Sequence, residues 1–92
     1  MLQIDVQKSF KKDYQKAIAR GLNTKLLEEV VNLLANEIPL PSKYHDHQLT
    51  NSRKYKNMRE CHIQPDWLLV YMIERERLVL TLVRTGSHSD LF

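Results

Sequence analysis

The longest apolar run in the chain, Trp67 to Ile73, constrains its fold more than any other feature. The run is far shorter than a membrane-spanning helix, which needs about 20 apolar residues. Its apolar side chains fall at both odd and even positions, which predicts a strand inside a sheet. Met58 to Ile63 and Arg77 to Arg84 also have strand composition, and turns at Pro65 and at Arg75–Glu76 separate the three segments. The pattern therefore predicts an antiparallel meander.

The first half of the chain predicts a short strand and two helices. Leu2 to Val6 alternates between apolar and polar residues, as a strand does. Ser9 offers a helix N-cap and Gly21 a helix end. Between them, one apolar stripe has helical spacing: Phe10, Tyr14, Ala17 and Ile18. A second helix, capped by Asn23 or Thr24 and ended by Pro39, carries a broader stripe: Leu26, Leu27, Val30, Val31, Leu33, Leu34 and Ile38.

This order of elements predicts an α+β fold. The chain has 92 residues, which suffices for one domain, residues 1–92, and for a single two-layer core. We expect the order β-α-α-β-β-β, with a helical hairpin packed on a mostly antiparallel four-stranded sheet. From Pro39 to about Lys56 no helix or strand period is present, so this segment is predicted to be a long loop.

Charge and cysteine content limit the classes of partner and compartment. The net charge is +3, and the basic residues form two clusters that could contact RNA or simply face solvent. The candidate RNA contacts are Lys12, Lys16 and Arg20 in the first helix, and Arg53, Lys54 and Lys56 in the loop. A lone Cys61 cannot form an internal disulfide, and Met1 to Asp5 lacks the features of a signal peptide. These features predict a cytoplasmic protein without a membrane partner.

Hairpin geometry predicts that chemically active side chains converge at one edge of the sheet. A turn centred between Arg75 and Glu76 would place Arg84 opposite Trp67 and next to Asp66. A turn near Pro65 would place His62 opposite Leu68. Since Gly86 permits a sharp turn, His88 could fold back over this edge.

Imidazoles, a carboxylate and a guanidinium at one place suit the cleavage of a phosphodiester. One group removes a proton from the attacking hydroxyl, another protonates the leaving oxygen, and a cation stabilises the transition state. This chemistry requires neither metal nor cofactor. Each residue also has a structural explanation, since His62 could be a core histidine, Asp66 a turn residue and Trp67 a core aromatic.

A zinc site is a second interpretation of the histidines. The candidate ligands are His45, His47, Cys61, His62 and His88. Strand alternation turns Cys61 away from His62, and the chain contains no C-x-x-C or H-x-x-x-H spacing. The sequence therefore disfavours this interpretation.

Three ordered motifs give the chain a resemblance to a known family. They lie at Tyr44–Leu49, Arg59–Tyr71 and Arg84–Phe92. These segments follow the patterns D-H-x-L, R-x-x-H-h-x-P-D-h-h-h-h-Y and R-x-G-S/T-H-x-x-L-F, where h is an apolar residue. The chain resembles, over essentially its whole length, the YafQ branch of the RelE superfamily of bacterial toxins.

The resemblance implies the toxin half of a type II toxin–antitoxin module, with an antitoxin as its protein partner. Such toxins typically cleave messenger RNA, most of them in the ribosomal A site, by attack of the ribose 2′-hydroxyl on the adjacent phosphate. By motif position, the functional residues correspond to His47, His62, Asp66, Arg84, His88 and Phe92, with Trp67 beside them.

The resemblance also implies individual roles. His88 resembles the general acid, His47 is the best candidate for the base, and Arg84 resembles the transition-state clamp. His62 and Asp66 would orient these groups, and Phe92 would stack on the substrate nucleotide.

The chain departs from the family pattern between His47 and His62. The loop from Thr50 to Met58 is longer than the usual form, and Tyr55 stands where a tryptophan is common. Two other functions stay open at this point: a ParE-like toxin that binds gyrase, and a non-catalytic module that binds RNA or a metal.

Overall fold

The computed structural model describes residues 1–50 and 53–92 of the chain. The strands are β1 (Gln3–Val6), β2 (His47–Gln48), β3 (Arg59–Gln64), β4 (Trp67–Glu74) and β5 (Val79–Gly86). The helices are α1 (Lys8–Ala19), α2 (Thr24–Ala35) and α3 (His88–Leu91), and a 3₁₀ turn at Ser42–Tyr44 precedes β2. In the described ranges, no helix has the length and apolar character needed to cross a membrane.

The strands form one mixed sheet in the order β1-β5-β4-β3-β2. Strand β1 pairs parallel to β5, and all other neighbours are antiparallel. The α+β class and the mostly antiparallel meander are confirmed. The predicted count of four strands is wrong, because the loop before β3 contributes β2 as a fifth strand. This strand has two residues, too few to show a period in the sequence, and it forms by pairing with β3.

The two long helices cover one face of the sheet, as predicted, and the main core lies between these layers. Its buried side chains come from α1, α2 and the helix-facing positions of the strands, including Phe10, Ala17, Leu27, Val30, Leu69, Tyr71 and Leu80. A smaller cluster covers part of the opposite face: Tyr55, Leu68, Val70, Val83 and Leu91. The sheet therefore has one face closed by helices and one face that is open apart from this cluster.

Helix α1 differs from its prediction in how it meets β5. The helix begins at Lys8, and the Ser9 hydroxyl donates to the Val83 carbonyl at 2.7 Å instead of capping the helix. Strand β1 ends at Val6, opposite Leu82, so α1 takes over the edge of β5 beyond that point. Its buried stripe includes Asp13, whereas Ile18, predicted to be in the core, is 52% exposed.

The second hairpin has a longer turn than predicted, and this changes the position of Arg84. Arg75 to Leu78 form a four-residue turn, with Leu78 in the left-handed region at φ 54°. The register also shifts between Val70 and Tyr71. Arg84 consequently lies opposite Val70 and not opposite Trp67, so the predicted pairing is wrong. The prediction for the first hairpin is confirmed, since His62 pairs with Leu68.

Candidate active site on the open face of the sheet

Two rows of paired residues cross the open face of the sheet. The first row is His47, Glu60, Val70 and Arg84, and the second is His62, Leu68 and Gly86. Paired residues project to the same side of a sheet. Because Leu68 and Val70 belong to the cluster on the open face, the polar members of both rows point there as well. Gly86 then leads directly to His88 in α3.

Glu60 joins two of the predicted histidines. Its carboxylate Oε1 lies 3.6 Å from Nε2 of His47 and 3.6 Å from Nε2 of His62. The residue is only 5% exposed, and Oε2 is buried without a hydrogen-bond partner among the described residues. A buried carboxylate with an unsatisfied oxygen lowers stability. Because this buried carboxylate lowers stability and lies between two histidines, it points to a role for Glu60 in function.

The backbone fixes the tautomer of His47. Its Nδ1 lies 2.7 Å from the carbonyl oxygen of His45. A carbonyl oxygen only accepts, so Nδ1 must carry the proton in this hydrogen bond. A neutral ring in this tautomer presents an unprotonated Nε2, which is the form that a general base requires.

A polar network on the helix-covered side holds the loop that carries this histidine. Asp46 accepts hydrogen bonds from Arg59 Nη2 at 2.8 Å and from the hydroxyl of Tyr71. Burial, together with the hydrogen bond to Asp46, raises the pKa of Tyr71, so its hydroxyl stays protonated as the donor. Asp46 is held on the helix-covered side, and the two histidines that flank it in sequence lie near His62. The ring centroid of His45 is 5.5 Å from that of His62, and the ring centroid of His47 is 6.4 Å from it.

The C-terminal tail forms the other half of the site. Ser87 and Asp90 make a reciprocal capping box at the start of α3. Asp66 accepts a hydrogen bond from the backbone N–H of His88 at 3.1 Å, so it anchors the tail. The ring of Phe92, which is 51% exposed, lies 5.1 Å from the ring of His88. These contacts hold His88 and Phe92 together at the surface.

Tyr55, in the divergent loop, also holds the tail. Its hydroxyl donates to the Leu91 carbonyl at 3.0 Å, and its ring lies 5.4 Å from that of Phe92. The side chain is buried in the small cluster on the open face. Asn51 and Ser52 of the same loop lie outside the described residues.

Arg84 is bound by a carboxylate that sequence reasoning missed. Asp13 accepts from Arg84 Nε at 2.6 Å and Nη2 at 3.1 Å, and from the backbone N–H of Thr85 at 3.1 Å. The hydrogen bonds from Arg84 to Asp13 raise the pKa of the guanidinium. Nη1 lies 3.5 Å from the Tyr55 hydroxyl on the other edge of the group. The guanidinium is thus fixed in place, with part of its charge offset by Asp13.

Trp67 does not lie where a nucleotide could stack on it. The side chain is 2% exposed in the main core, on the face that the helices cover. Its indole Nε1 donates to Thr85 Oγ1 at 2.9 Å. The predicted contact between Trp67 and RNA is therefore wrong for this fold, because the ring is enclosed by the protein.

The predicted basic clusters are on the surface. Lys12 and Lys16 are exposed on α1, and Arg20 is exposed at its C-cap. Arg53, Lys54 and Lys56 are exposed in the loop before β3. Arg20 differs from the others, because its Nη1 contacts Asp90 Oδ2 at 2.7 Å. It therefore ties α3 to α1 as well as contributing positive charge.

We expect the Arg20→Ala substitution to raise the pKa of Asp90. Hydrogen bonds from Arg20 and from the Ser87 backbone hold this pKa well below its ordinary value. A depressed folded-state pKa contributes stability above the unfolded pKa, about 3.9, that is lost as the pH falls through the folded value. NMR titration of the carboxylate should show its midpoint moving toward about 4 in Arg20→Ala. Lys16→Ala, one turn away, is the control, and an unchanged midpoint in Arg20→Ala would contradict the contact.

The side chains do not support the zinc site. Among the described residues, no group of three or more His, Cys, Asp or Glu side chains is arranged to hold a metal ion. Cys61 is buried in the main core, where desolvation raises the pKa of its thiol to about 12. His88 belongs to the tail and contacts Phe92, whereas His45 and His47 lie beside His62.

The predicted site residues thus form two groups in the structure. One contains His47 and His62, joined by Glu60, and the other contains Asp66, His88 and Phe92. Sequence reasoning missed Glu60, although alternation along the strand places it on the same face as His62, two residues away. It also missed Asp13 and the role of Tyr55, whose partners are distant in sequence.

Comparisons with known proteins show the family to which the chain belongs. A family model described as the bacterial toxin of type II toxin-antitoxin system, YafQ, matches residues 2–92. The mRNA interferase toxin YafQ of Escherichia coli strain B / BL21-DE3 is 38% identical over 95 residues, covering 100% of this chain and 99% of the relative.

Solved structures resemble the whole chain. A metal-bound toxin from Helicobacter pylori is 49% identical with a TM-score of 0.93, and each chain is covered completely. YafQ in the E. coli DinJ-YafQ complex is 35% identical with a TM-score of 0.88, covering 100% of this chain and 99% of the other. Since the family model spans nearly every residue and the relatives match end to end, the chain belongs to the YafQ family of bacterial toxins of type II toxin–antitoxin systems.

Proposed function

We propose that this protein is an endoribonuclease toxin that cleaves messenger RNA in the ribosomal A site by general acid–base chemistry of its own side chains. The observation that carries the proposal is the pair of rows on the open face of the sheet. They bring His47, Glu60 and His62 to one side and Arg84 and the tail with His88 to the other. Two strand spacings, about 10 Å, separate the backbones of His62 and Gly86. An RNA strand crossing the face would bridge this distance.

His47 is the proposed base. With its Nδ1–H bonded to His45, the neutral ring takes the proton of the ribose 2′-hydroxyl on Nε2. The 2′-oxygen then bonds to the adjacent phosphorus, and the bond to the 5′-oxygen breaks, which leaves a 2′,3′-cyclic phosphate. His88 donates the proton that the departing 5′-oxygen takes up. His62 helps to orient the base, and the nearby Glu60 carboxylate offsets the positive charge that His47 carries once it is protonated.

Arg84 and Phe92 bind the reacting RNA in this proposal. Asp13 holds Nε and Nη2 of Arg84, so Nη1, which also lies beside the Tyr55 hydroxyl, is the nitrogen that contacts the phosphate in this proposal. Phe92 offers a half-exposed ring beside His88 on which a base can stack. Asp66 is then a positioning residue, since it contacts the backbone of His88 and not the reacting atoms.

Two kinds of macromolecular partner, RNA and an antitoxin protein, belong to the proposal. The exposed basic residues of α1 and of the loop before β3 suit messenger RNA and ribosomal RNA. The E. coli relative is found with DinJ in a toxin-antitoxin complex. We propose that a cognate antitoxin likewise binds this protein, and its net charge of +3 favours an acidic segment of such a partner.

Primer extension on a reporter message tests this function. We expect wild-type protein to produce discrete stops in the coding region when ribosomes translate the message, and few or none when ribosomes are omitted. Equally strong cleavage of free RNA would support the nuclease activity and contradict cleavage in the ribosomal A site. The absence of cleavage in both arms, together with inhibition of gyrase supercoiling, would instead support a ParE-like toxin.

We expect the Glu60→Gln substitution to separate stability from activity. Removing the charge relieves a buried carboxylate with an unpartnered oxygen, so the free energy of unfolding should stay equal or rise by about 1 kcal/mol. The kcat for RNA cleavage should fall roughly 10-fold or more, because the imidazoles lose their negative partner. Denaturant unfolding and single-turnover cleavage measure the two quantities. Lower stability with unchanged kcat would show that Glu60 is purely structural.

A further inference from the structure

A large cleft adjoins the histidines, and none of the residues that line it belongs to the C-terminal tail. Its volume is about 820 Å³, and His47 and His62 form part of its wall. The cleft lies between the start of α2, the 3₁₀ turn with the residues after it, and the end of β3. Its volume falls within the range of small-ligand sites, roughly 300–1,000 Å³.

The lining of the cleft suits a flat apolar ring better than a phosphate. Leu26, Ile63 and Pro65 provide apolar surface, and Tyr44 adds an aromatic ring. Lys43 lies above that ring, with Nζ 5.1 Å from its centroid, and is the cation at the rim. Glu29 also lines the cleft, and its negative charge would repel a phosphate group that entered.

We propose that this cleft binds the nucleobase of one nucleotide flanking the cleaved bond, and so contributes to the choice of cleavage site. The inference rests on the proposed function, because the position of the phosphate is set by the catalytic histidines. If a phosphate lies over His47 and His62, the RNA strand continues on one side toward Phe92 and on the other into the cleft. Lys43 would leave the ring of Tyr44 to contact the next phosphate along the strand, and Tyr44 would then supply the stacking surface.

Binding of an uncleavable RNA tests the inference independently of catalysis. The probe is a fluorescent oligonucleotide with 2′-O-methyl groups throughout, in which a single abasic site is moved along the strand. At one position, we expect the abasic site to weaken binding to the wild type roughly 10-fold, as loss of one stacked base does. Leu26→Trp, which fills the cleft, should weaken binding of the intact strand by a similar factor. This variant should then be insensitive to the abasic site at that position.

Two further variants make the measurement decisive. Tyr44→Ala removes the stacking surface and should give the same insensitivity, which covers the case in which Leu26→Trp does not fold. Ile18→Trp adds an equal ring on the exposed side of α1 and should behave as the wild type. The inference would be overturned if, at every abasic position, the loss of affinity from the abasic site and the loss from the cleft substitution multiplied independently. It would also be overturned if the intact strand showed no measurable binding. Cleavage of unmodified RNA is measured separately. If the wild type cleaves RNA but the cleft variants stay as sensitive to the abasic site as the wild type, the proposed base-binding cleft is wrong and the proposed nuclease function stands.

Discussion

The His88→Ala variant is expected to lose RNA cleavage while keeping the fold. Removing a proton donor for the leaving oxygen should reduce kcat by roughly 10²–10⁴-fold. The imidazole is exposed, and the backbone N–H that Asp66 binds is retained in alanine. The free energy of unfolding should therefore change by less than about 0.5 kcal/mol. Single-turnover cleavage on translating ribosomes and denaturant unfolding are the two measurements.

Ser89→Ala is the matched control, because it truncates an exposed side chain in the same short helix. It should cleave as the wild type does. In cells, wild type and Ser89→Ala should arrest growth, and His88→Ala should not. A His88→Ala protein that is fully active and fully toxic would remove His88 from the mechanism.

The meander could be predicted from the sequence because strands carry their own signal. The run from Trp67 to Ile73 is apolar at both odd and even positions, and it forms all of β4 except Glu74, with the first five residues of the strand buried. Strand β2 could not be predicted, because its two residues acquire strand geometry only by pairing with β3. The turn from Arg75 to Leu78 contains no glycine or asparagine at the left-handed position, so its length was not recognisable.

The candidate site was predictable to the extent that it follows the strands. The pairing of His62 with Leu68 required only the turn at Pro65, and it was predicted correctly. The predicted pairing of Arg84 was wrong because the length of the turn that sets this pairing was predicted wrongly. Glu60 could have been found by extending strand parity two residues back from His62. Asp13 had no local signal, because its partner Arg84 is 71 residues away in sequence.

The largest expected effect on stability comes from the Asp13→Asn substitution. Asp13 is 7% exposed and accepts hydrogen bonds from Nε and Nη2 of Arg84 and from the Thr85 backbone. An asparagine of the same shape keeps one acceptor oxygen and turns an N–H group toward the remaining donors. The Arg84 guanidinium then loses its counter-charge in a largely buried position. We expect the free energy of unfolding to fall by about 2–4 kcal/mol, measured by urea denaturation.

The exposed strand residue Asp5 provides the control, and Asp5→Asn should leave stability within about 0.5 kcal/mol of the wild type. Replacing both partners, as Asp13→Leu with Arg84→Met, should cost less than the sum of the single changes, because neither charge is then left unpaired. RNA cleavage should fall in Asp13→Asn even where the protein is folded, since Asp13 holds the Arg84 guanidinium, which we propose contacts the phosphate. Additive losses in the double variant, or an Asp13→Asn protein as stable as the wild type, would show that the pair is not what fixes Arg84 in the site.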